Sequence, residues 1–461
     1  MNMRAVYSKY NRALLIPCFT FTILSVGCTE FLKIDPPASR VVSETVFLNE
    51  TTAEGALVGL YQQAFADFAG SSTGSVSVYA GMSADELVFI NAASYSQQDR
   101  EEINQNNISA TNASMISLWT GLYGTIYSAN AILEHTIDNT SLTPTMMNRC
   151  RGEAAFIRAF CYFYLCNLFG EVPLVTSTDY RKNAQLPLST IDQAYDRIEE
   201  DIAVAMELLG SDYPSDNRLR VNKWVATALM ARVQLYRENW KQAAELSSAV
   251  IAQTQAYNLE KLDEVFLAES QEALWQRASH LANTNTSEAN LFITNDEHFL
   301  SHEVLKGFSE NDLRRRYWVL LKHPDKELFV PYKYKSTTGT NTEEHSIIFR
   351  LAEQYLIKAE ALTRLGQLDE AVNSLNPIRV RAGLRPIAEE IAGITQDDLL
   401  DAVMSERRRE LFSEWGHRWF DLKRTGKAAE ILSSVKPEFT ASDEWYPIPE
   451  SEHLKNPNLK K

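Results

Sequence analysis

Apolar residues recur at helical spacing over most of the chain. Stripes with the period of an α-helix run through residues 52–66, 114–135, 149–169 and 192–209. The third of these segments stops at Gly170, and Pro173 follows just beyond it, which is ordinary chemistry for a helix end. The pattern therefore predicts a mainly α fold.

Two helix-turn-helix pairs are similar to tetratricopeptide repeats, in which small residues let paired helices approach closely. The first pair lies between Ala228 and Val250. The second lies between Tyr355 and Ile378, with a turn at Gly366. The pairs are far apart in the chain and follow no regular repeat period. We therefore expect helical pairs separated by insertions rather than a continuous solenoid.

Two regions lack the helical pattern. Residues 70–113 are rich in Ser, Gly, Asn and Gln, and residues 252–348 combine short apolar bursts with Asn, Thr and Ser clusters. Long irregular loops on a rigid frame commonly carry binding residues. We predict one domain of tetratricopeptide-like helical pairs packed against an irregular, loop-rich half. It divides into a helical part at about 28–250, a loop-rich ligand part at about 252–348 and a helical part at about 349–461.

The first 27 residues are typical of an export signal rather than of a folded domain. Arg4, Lys9 and Arg12 precede an apolar stretch that is too short to span a bilayer. The stretch ends Leu-Ser-Val-Gly before Cys28, and small residues directly before a cysteine resemble the lipobox of bacterial lipoproteins. We predict a signal peptide at 1–27 and a lipid on Cys28. The alternative is an ordinary cleaved signal followed by an incidental cysteine.

Composition and charge narrow the possible functions. The 461 residues are 45% hydrophobic and 23% charged, which is ordinary for a globular protein. The formal net charge of −15 becomes −18 when the three basic residues of the first 27 are removed, since that segment holds no acid. An acidic chain repels phosphate backbones, so nucleic acid is disfavoured as a partner.

One helix carries the strongest candidate for acid/base chemistry. Glu406 and Glu410 are one helical turn apart and could act as a general acid and a general base. However, Arg407, Arg408 and Arg409 lie beside them, and nearby cations keep carboxylates charged. We therefore interpret this segment as an ion-pair network and predict no catalytic residue.

Candidate metal ligands have structural explanations too. His298 and His302 have a spacing that metal ligands use, but no accompanying glutamate and no third ligand is evident. Cys150, Cys161 and Cys166 fit neither a disulfide framework nor a zinc pattern, so we expect them to be small core residues. We predict no metal and no cofactor.

Five stretches resemble the SusD/RagB family of outer-membrane nutrient-binding lipoproteins. They follow one another as residues 31–37 (FLKIDPP, directly after Cys28), 152–175, 350–384, 405–426 and 445–459. The resemblance implies a non-enzymatic, lipid-anchored protein of the outer membrane that captures a nutrient for a SusC-like TonB-dependent transporter. Residues 270–345 match only in outline, so the resemblance does not imply a particular ligand.

Aromatic rings on loops stack against sugar rings, and neighbouring amides bind the sugar hydroxyls. The candidate ligand-binding residues are Tyr95, His298, Phe299, Tyr79, Asn91 and Trp318, and the adjacent Asp85-Glu86 offers polar partners. Glycan is the expected ligand, because most of the resembling family serves polysaccharide uptake. The helical half is expected to dock on the transporter, and the protein to close over its channel as a lid. The alternatives are a peptide-binding RagB-like lipoprotein, a secreted glycoside hydrolase and a pure scaffold.

Overall fold

Most of the described chain is helical in the computed structural model, which describes residues 43–69, 76–90, 97–279, 286–337, 343–391 and 393–459. The helices are α1 Ser43–Val46, α2 Glu50–Ala69, α3 Val76–Ser83, α4 Gln98–Asn104, α5 Ala113–Thr136, α6 Pro144–Phe169, α7 Tyr180–Asn183, α8 Ile191–Leu208, α9 Lys223–Tyr236, α10 Trp240–Ile251, α11 Ser287–Ala289, α12 His302–Lys306, α13 Leu313–Trp318, α14 Leu351–Arg364, α15 Leu368–Arg381, α16 Ile387–Glu390, α17 Gln396–Leu411, α18 His417–Arg424, α19 Ala428–Leu432 and α20 Glu450–Lys455. The strands are β1 Leu87–Phe89, β2 Ala273–Arg277, β3 His298–Leu300, β4 Val319–His323, β5 Leu328–Pro331 and β6 Ser346–Arg350.

The four helices predicted from apolar periodicity are present as α2, α5, α6 and α8. Side chains cap their first turns. Asn112 accepts from the backbone N–H of Met115 on α5, and Thr190 forms a capping box with Gln193 on α8. Helix α6 ends where Gly170 takes a φ of +80°, which a residue without a Cβ adopts at little cost. The mainly α prediction is confirmed.

The long helices form one continuous stack. Helix α2 packs on α5, α5 on α6, α6 on α8, α8 on α9, α9 on α10, α10 on α14 and α14 on α15. The two tetratricopeptide-like pairs are α9 with α10 and α14 with α15, and the small residues Ala359 and Ala371 are fully buried. Because α10 packs directly on α14, the insertion separates the two pairs in sequence but not in space. The two pairs are therefore separated by an insertion, as predicted, and also pack on each other.

Helix α6 lies at the centre of the core. Every residue from Gly152 to Cys166 is buried, so the helix is enclosed on all sides. The ring of Phe160 packs edge-on against Trp275 with their centroids 5.2 Å apart. All three cysteines of α6 are buried, and burial raises the pKa of Cys150 to about 12. Their prediction as core residues is confirmed.

The strands form three separate two-stranded antiparallel sheets, which pair β1 with β3, β2 with β6 and β4 with β5. Every residue of β2 and β6 is buried, so this sheet is part of the core. Strands β2 to β6 all belong to the region predicted to be loop-rich. They are short and irregular in register, since both the β2–β6 and β4–β5 ladders contain shifts.

One expectation about the irregular regions was wrong, since residues 76–90 are regular in structure. They form α3 and β1 rather than a loop, and every residue of α3 is buried. A helix that is enclosed on all sides needs no polar face, so it lacks the alternation by which an amphipathic helix is identified.

The chain from Ser43 to Lys461 groups into one compact unit. The predicted signal peptide and Cys28 lie outside the described residues. None of the helices in the described ranges combines the length and the apolarity that crossing a bilayer requires.

Gly366 provides a test of the second helical pair. It joins α14 to α15 with a φ of +75°, and a Cβ built there meets no atom within 4 Å. Gly366→Ala is expected to lower the free energy of unfolding by about 1–2 kcal/mol, because only the backbone conformation is penalised. Gly366→Asn should lower it less, since asparagine tolerates the left-handed region. Urea unfolding measures both, and an alanine variant as stable as the wild type would contradict this turn geometry.

Candidate functional site

Glu406 and Glu410 of α17 are fully buried among arginines. Arg314 Nη1 lies 2.6 Å from a carboxylate oxygen of Glu406 and 3.0 Å from one of Glu410. Arg350 donates to Glu410 at 2.6 Å, and Arg381 bonds the same oxygen. The interpretation of this segment as an ion-pair network is therefore confirmed.

The network holds both carboxylates in their charged form. Burial alone would raise the pKa of Glu410, but the charges of Arg381, Arg350 and Arg314 outweigh burial and hold that pKa well below its ordinary value. The pKa of Glu406 is lowered despite burial, because Arg314 and then Arg409 act on it in the same way. A general acid must carry a proton near neutral pH, so neither glutamate suits that role.

The same network fixes the loop-rich part of the chain to α17. Arg350, where β6 joins α14, also donates to Glu272 just before β2 at 2.9 Å and to Glu414 at 2.8 Å. Lys333, which follows β5, donates to the carbonyl oxygen of Glu410 at 2.9 Å. The ends of β2, β5 and β6 are thus held on one buried set of charges.

Asp85 ties a second part of the chain to α17. It lies between α3 and β1 and accepts from Arg408 of α17 and from Arg418 of α18, each at 2.7 Å. Glu86 is buried beside it and accepts from the backbone N–H of Ser413. These two acids were expected to be polar partners for a ligand, but their contacts are structural.

Four of the six predicted ligand-binding residues are buried rather than exposed on loops. Tyr79, a residue of α3, and Phe299, a residue of β3, are both buried. Trp318 is fully buried at the end of α13, where its Nε1 donates to the carbonyl oxygen of Leu262 at 2.8 Å. These rings offer no exposed face for a sugar. The aromatic residues that indicated stacking serve core packing instead.

His298, the fourth of these residues, is buried in β3 with its ring centroid 5.6 Å from that of Phe89. Neither ring nitrogen has a hydrogen-bond partner. Burial, with a smaller effect from Arg100, lowers the pKa of His298 to about 3, so the ring is neutral near neutral pH. His302 begins α12, so the two histidines do not share a helix face. Over the described ranges, no three His, Cys, Asp or Glu side chains are grouped to hold a metal ion.

Tyr95 and Asn91 lie outside the described residues, so their role stays a prediction. The described residues on either side of this segment contact Glu297, which directly precedes β3. The backbone N–H of Ile90 donates to the carbonyl oxygen of Glu297 at 2.9 Å, and the side chain of Gln97 bonds the Glu297 carboxylate.

A groove of about 310 Å³ opens between α2 and the end of β2. Tyr61 and Phe65 of α2 line it with rings that are largely buried, and the exposed side chain of Gln62 lies between them in sequence. Ser215 and Arg277 contribute polar groups from the other side. Aromatic side chains with a few convergent polar groups are typical of small-molecule sites. We call this feature the α2–β2 groove and take it as the candidate functional site.

Sequence reasoning missed the α2–β2 groove. Its residues come from three separate segments of the chain, and only the fold brings them together. One local signal was available, since Tyr61 and Phe65 are four residues apart on α2 and therefore share one helix face.

A second cleft, of about 570 Å³, is lined by Trp445 and His453 among other residues near the C-terminus. Trp445 is half-buried, but Lys423 Nζ lies over its ring at 4.1 Å from the centroid. Gly170 lies against the same ring. These contacts occupy part of the Trp445 ring.

Two sequence families match most of the chain. A SusD-like family described as starch-binding associating with outer membrane matches residues 30–235, and the SusD family matches residues 306–461. The chain belongs to the SusD/RagB family. The SusD-like protein P25 of Formosa agariphila is 26% identical over 91% of this chain and 91% of its own length. A SusD-like protein of Bacteroides ovatus is 21% identical over 90% of this chain and 82% of its own length.

Solved structures show the same SusD-like fold. A SusD superfamily protein from Bacteroides vulgatus aligns with a TM-score of 0.77 at 20% identity and covers 90% of this chain and 99% of that one. A laminarin-binding SusD-like protein aligns with a TM-score of 0.74 at 24% identity, covering 88% and 98%. Surface glycan-binding protein A from Bacteroides fluxus also reaches 0.74, at 23% identity, covering 88% and 97%. The prediction of tetratricopeptide-like pairs in a SusD-like fold is confirmed.

The α17 network can be tested by removing one charge. Glu410→Gln is expected to lower the free energy of unfolding by about 3–5 kcal/mol, because it leaves buried arginines without a counter-charge. Glu430→Gln is the matched control, since Glu430 forms an exposed pair with Lys427 and its loss should change stability little. Urea unfolding at neutral pH compares them. A Glu410 variant as stable as the control would contradict a dependence of the fold on this network.

The network also predicts how stability depends on pH. The pKa of Glu410 is lower in the folded chain than the ordinary value, so its contribution is complete above the unfolded pKa of about 4.3 and is lost as pH falls further. Wild-type stability should therefore decline in acid, and the decline should be shallower in Glu410→Gln. Parallel acid profiles for the two proteins would refute this assignment.

Proposed function

We propose that this protein binds a nutrient oligomer at the cell surface and delivers it to a SusC-like TonB-dependent outer-membrane transporter. Glycan is the ligand class we favour. Membership of the SusD/RagB family is the observation that carries the proposal. Related structures include one described as laminarin-binding and one described as a surface glycan-binding protein. The α2–β2 groove supports a glycan, because Gln62 offers an exposed amide beside the largely buried rings of Tyr61 and Phe65.

The proposed anchor is a lipid on Cys28, which places residues 28–461 outside the membrane. Stable anchoring takes more than one acyl chain, as a lipoprotein cysteine provides. The formal net charge of −15 belongs to the whole chain, and loss of the basic signal makes the remainder more acidic. Such a body is repelled by an anionic membrane surface, so the lipid rather than charge attraction holds it there.

In this proposal the protein moves as a rigid lid. The helical stack of α2 to α15 provides an extended docking surface for the transporter. The α17 network joins that stack to the end of the loop-rich part through Arg350 and to the α3–β1 junction through Asp85. A captured oligomer can therefore be carried by one body that closes over the channel, without rearrangement inside it.

Membrane fractionation tests the anchor and the partner. The wild-type chain is expected in the outer-membrane fraction, and purification in mild detergent should recover a TonB-dependent transporter with it. Cys28→Ala removes the lipidation site and should release the chain from that fraction, whereas Cys150→Ala, a buried thiol of α6, should not. Unchanged localisation of the Cys28 variant, together with no co-purified transporter, would refute the proposal.

Electrophoresis through gels that contain polysaccharides tests the ligand class. The wild type should be retarded by at least one glycan, and Tyr95→Ala should weaken the retardation at least severalfold if its ring stacks on a sugar. Tyr180→Ala is the control, because Tyr180 is 73% exposed on α7 and is not assigned to a ligand. Retardation by no glycan, with binding heat from peptide pools in calorimetry, would replace glycan by peptide. Release of sugar products would instead favour a glycoside hydrolase.

A further inference from the structure

Arg277 differs from the other buried arginines of the described chain. Seven of these have a carboxylate oxygen at 2.6 to 2.8 Å, namely Arg158, Arg220, Arg232, Arg314, Arg350, Arg379 and Arg407. Arg277 is also buried, with 6% of its surface exposed, but no ion pair joins it to a carboxylate whose side chain the structure describes. Burying an ion without a partner costs several kcal/mol, so such a group requires an explanation.

The contacts of Arg277 are few and uncharged. Its Nη2 donates to Ser287 Oγ and, at 3.5 Å, to Ser346 Oγ, and its Nε is buried with no acceptor. Glu288 attracts Arg277 electrostatically but forms no ion pair with it. The Glu288 carboxylate accepts a hydrogen bond from Ser346 Oγ at 2.6 Å. Burial lowers the pKa of Arg277, and Glu288 opposes this shift only in part.

Four internal segments outside the described residues carry no acidic side chain. Residues 70–75, 91–96, 280–285 and 338–342 contain neither aspartate nor glutamate. Arg277 thus has no counter-charge among the described side chains or in these four segments.

The position of Arg277 indicates where that charge enters. Arg277 ends β2 and lines the α2–β2 groove, where its guanidinium carbon lies 6.0 Å from the centre of the Phe65 ring. A groove of about 310 Å³ is at the small end of ligand sites, so it suits a short stretch of an oligomer. Guanidinium groups pair with carboxylate and sulfate oxygens through two parallel hydrogen bonds.

We infer that the α2–β2 groove binds an acidic glycan, with a uronate carboxylate or a sulfate ester of the sugar paired to Arg277. This inference rests on the proposed function and narrows its ligand class. The acidity of the chain does not oppose it, since salt screens charges beyond about 8 Å under physiological conditions. An unpaired buried charge lowers the stability of the fold, as expected where stability is traded for binding.

Calorimetry with three probes tests this assignment on the full chain in mild detergent. The probes are oligogalacturonate, which carries carboxylates, a sulfated galactan oligomer, which carries sulfate esters, and a neutral laminarin oligomer. Arg277→Gln should weaken binding of one acidic probe at least tenfold, and the probe affected identifies the anionic group. Arg277→Lys should retain part of the affinity, because lysine keeps the charge but not the paired geometry. Arg181→Gln makes the same charge change at a side chain that is 80% exposed and should have no effect.

Thermal unfolding separates a binding role from a structural one. Loss of an unpaired buried charge should leave the melting temperature of Arg277→Gln unchanged or raised, whereas loss of a structural arginine would lower it. Acidic probes that bind Arg277→Gln as tightly as the wild type, or a wild type that binds only the neutral oligomer, would overturn the inference and leave the proposed function standing. Binding of no glycan of either kind would overturn both.

Discussion

Buried charge on α17 is the constraint on which the rest of the structure depends. Glu406, Arg407, Arg408 and Glu410 follow one another closely on this helix, and each pairs with a different part of the chain. Taking charges out of water is favourable only when all their partners are in place with good geometry. The buried charges of α17 therefore all have partners only when β2, β6, α13, α18 and the α3–β1 junction come together around this helix.

This requirement explains how a long irregular insertion can interrupt a helical stack without breaking it. Helices α10 and α14 pack directly on each other, and the chain between them is secured at Glu272 and Arg350, near its two ends. The stack supplies rigidity, and the insertion supplies a varied surface. In a binding protein this division lets loops change with the ligand while the frame and its charged contacts stay the same.

The sequence predicted the parts of the fold that depend on local pattern. Apolar periodicity identified α2, α5, α6 and α8, and arginines flanking Glu406 and Glu410 indicated ion pairs before any partner was known. It did not predict α3, whose enclosure on all sides removes the amphipathic signal. The prediction of exposed ligand-binding aromatics was wrong for a related reason. The sequence does not show whether an aromatic side chain such as Trp318 is buried or exposed. The α2–β2 groove could not be predicted, since distant segments create it.

Arg277 shows how a site can be identified by a buried charge that has no ion-pair partner. In a chain whose other buried arginines of the described ranges are all paired with acids, one unpaired guanidinium in an aromatic groove indicates a charge that arrives with the ligand. A crystal structure with a bound acidic oligosaccharide is the most direct measurement. It should show a sugar in the α2–β2 groove, with an anionic group within hydrogen-bond distance of Arg277. An oligosaccharide bound away from the α2–β2 groove, with Arg277 still unpaired, would contradict it.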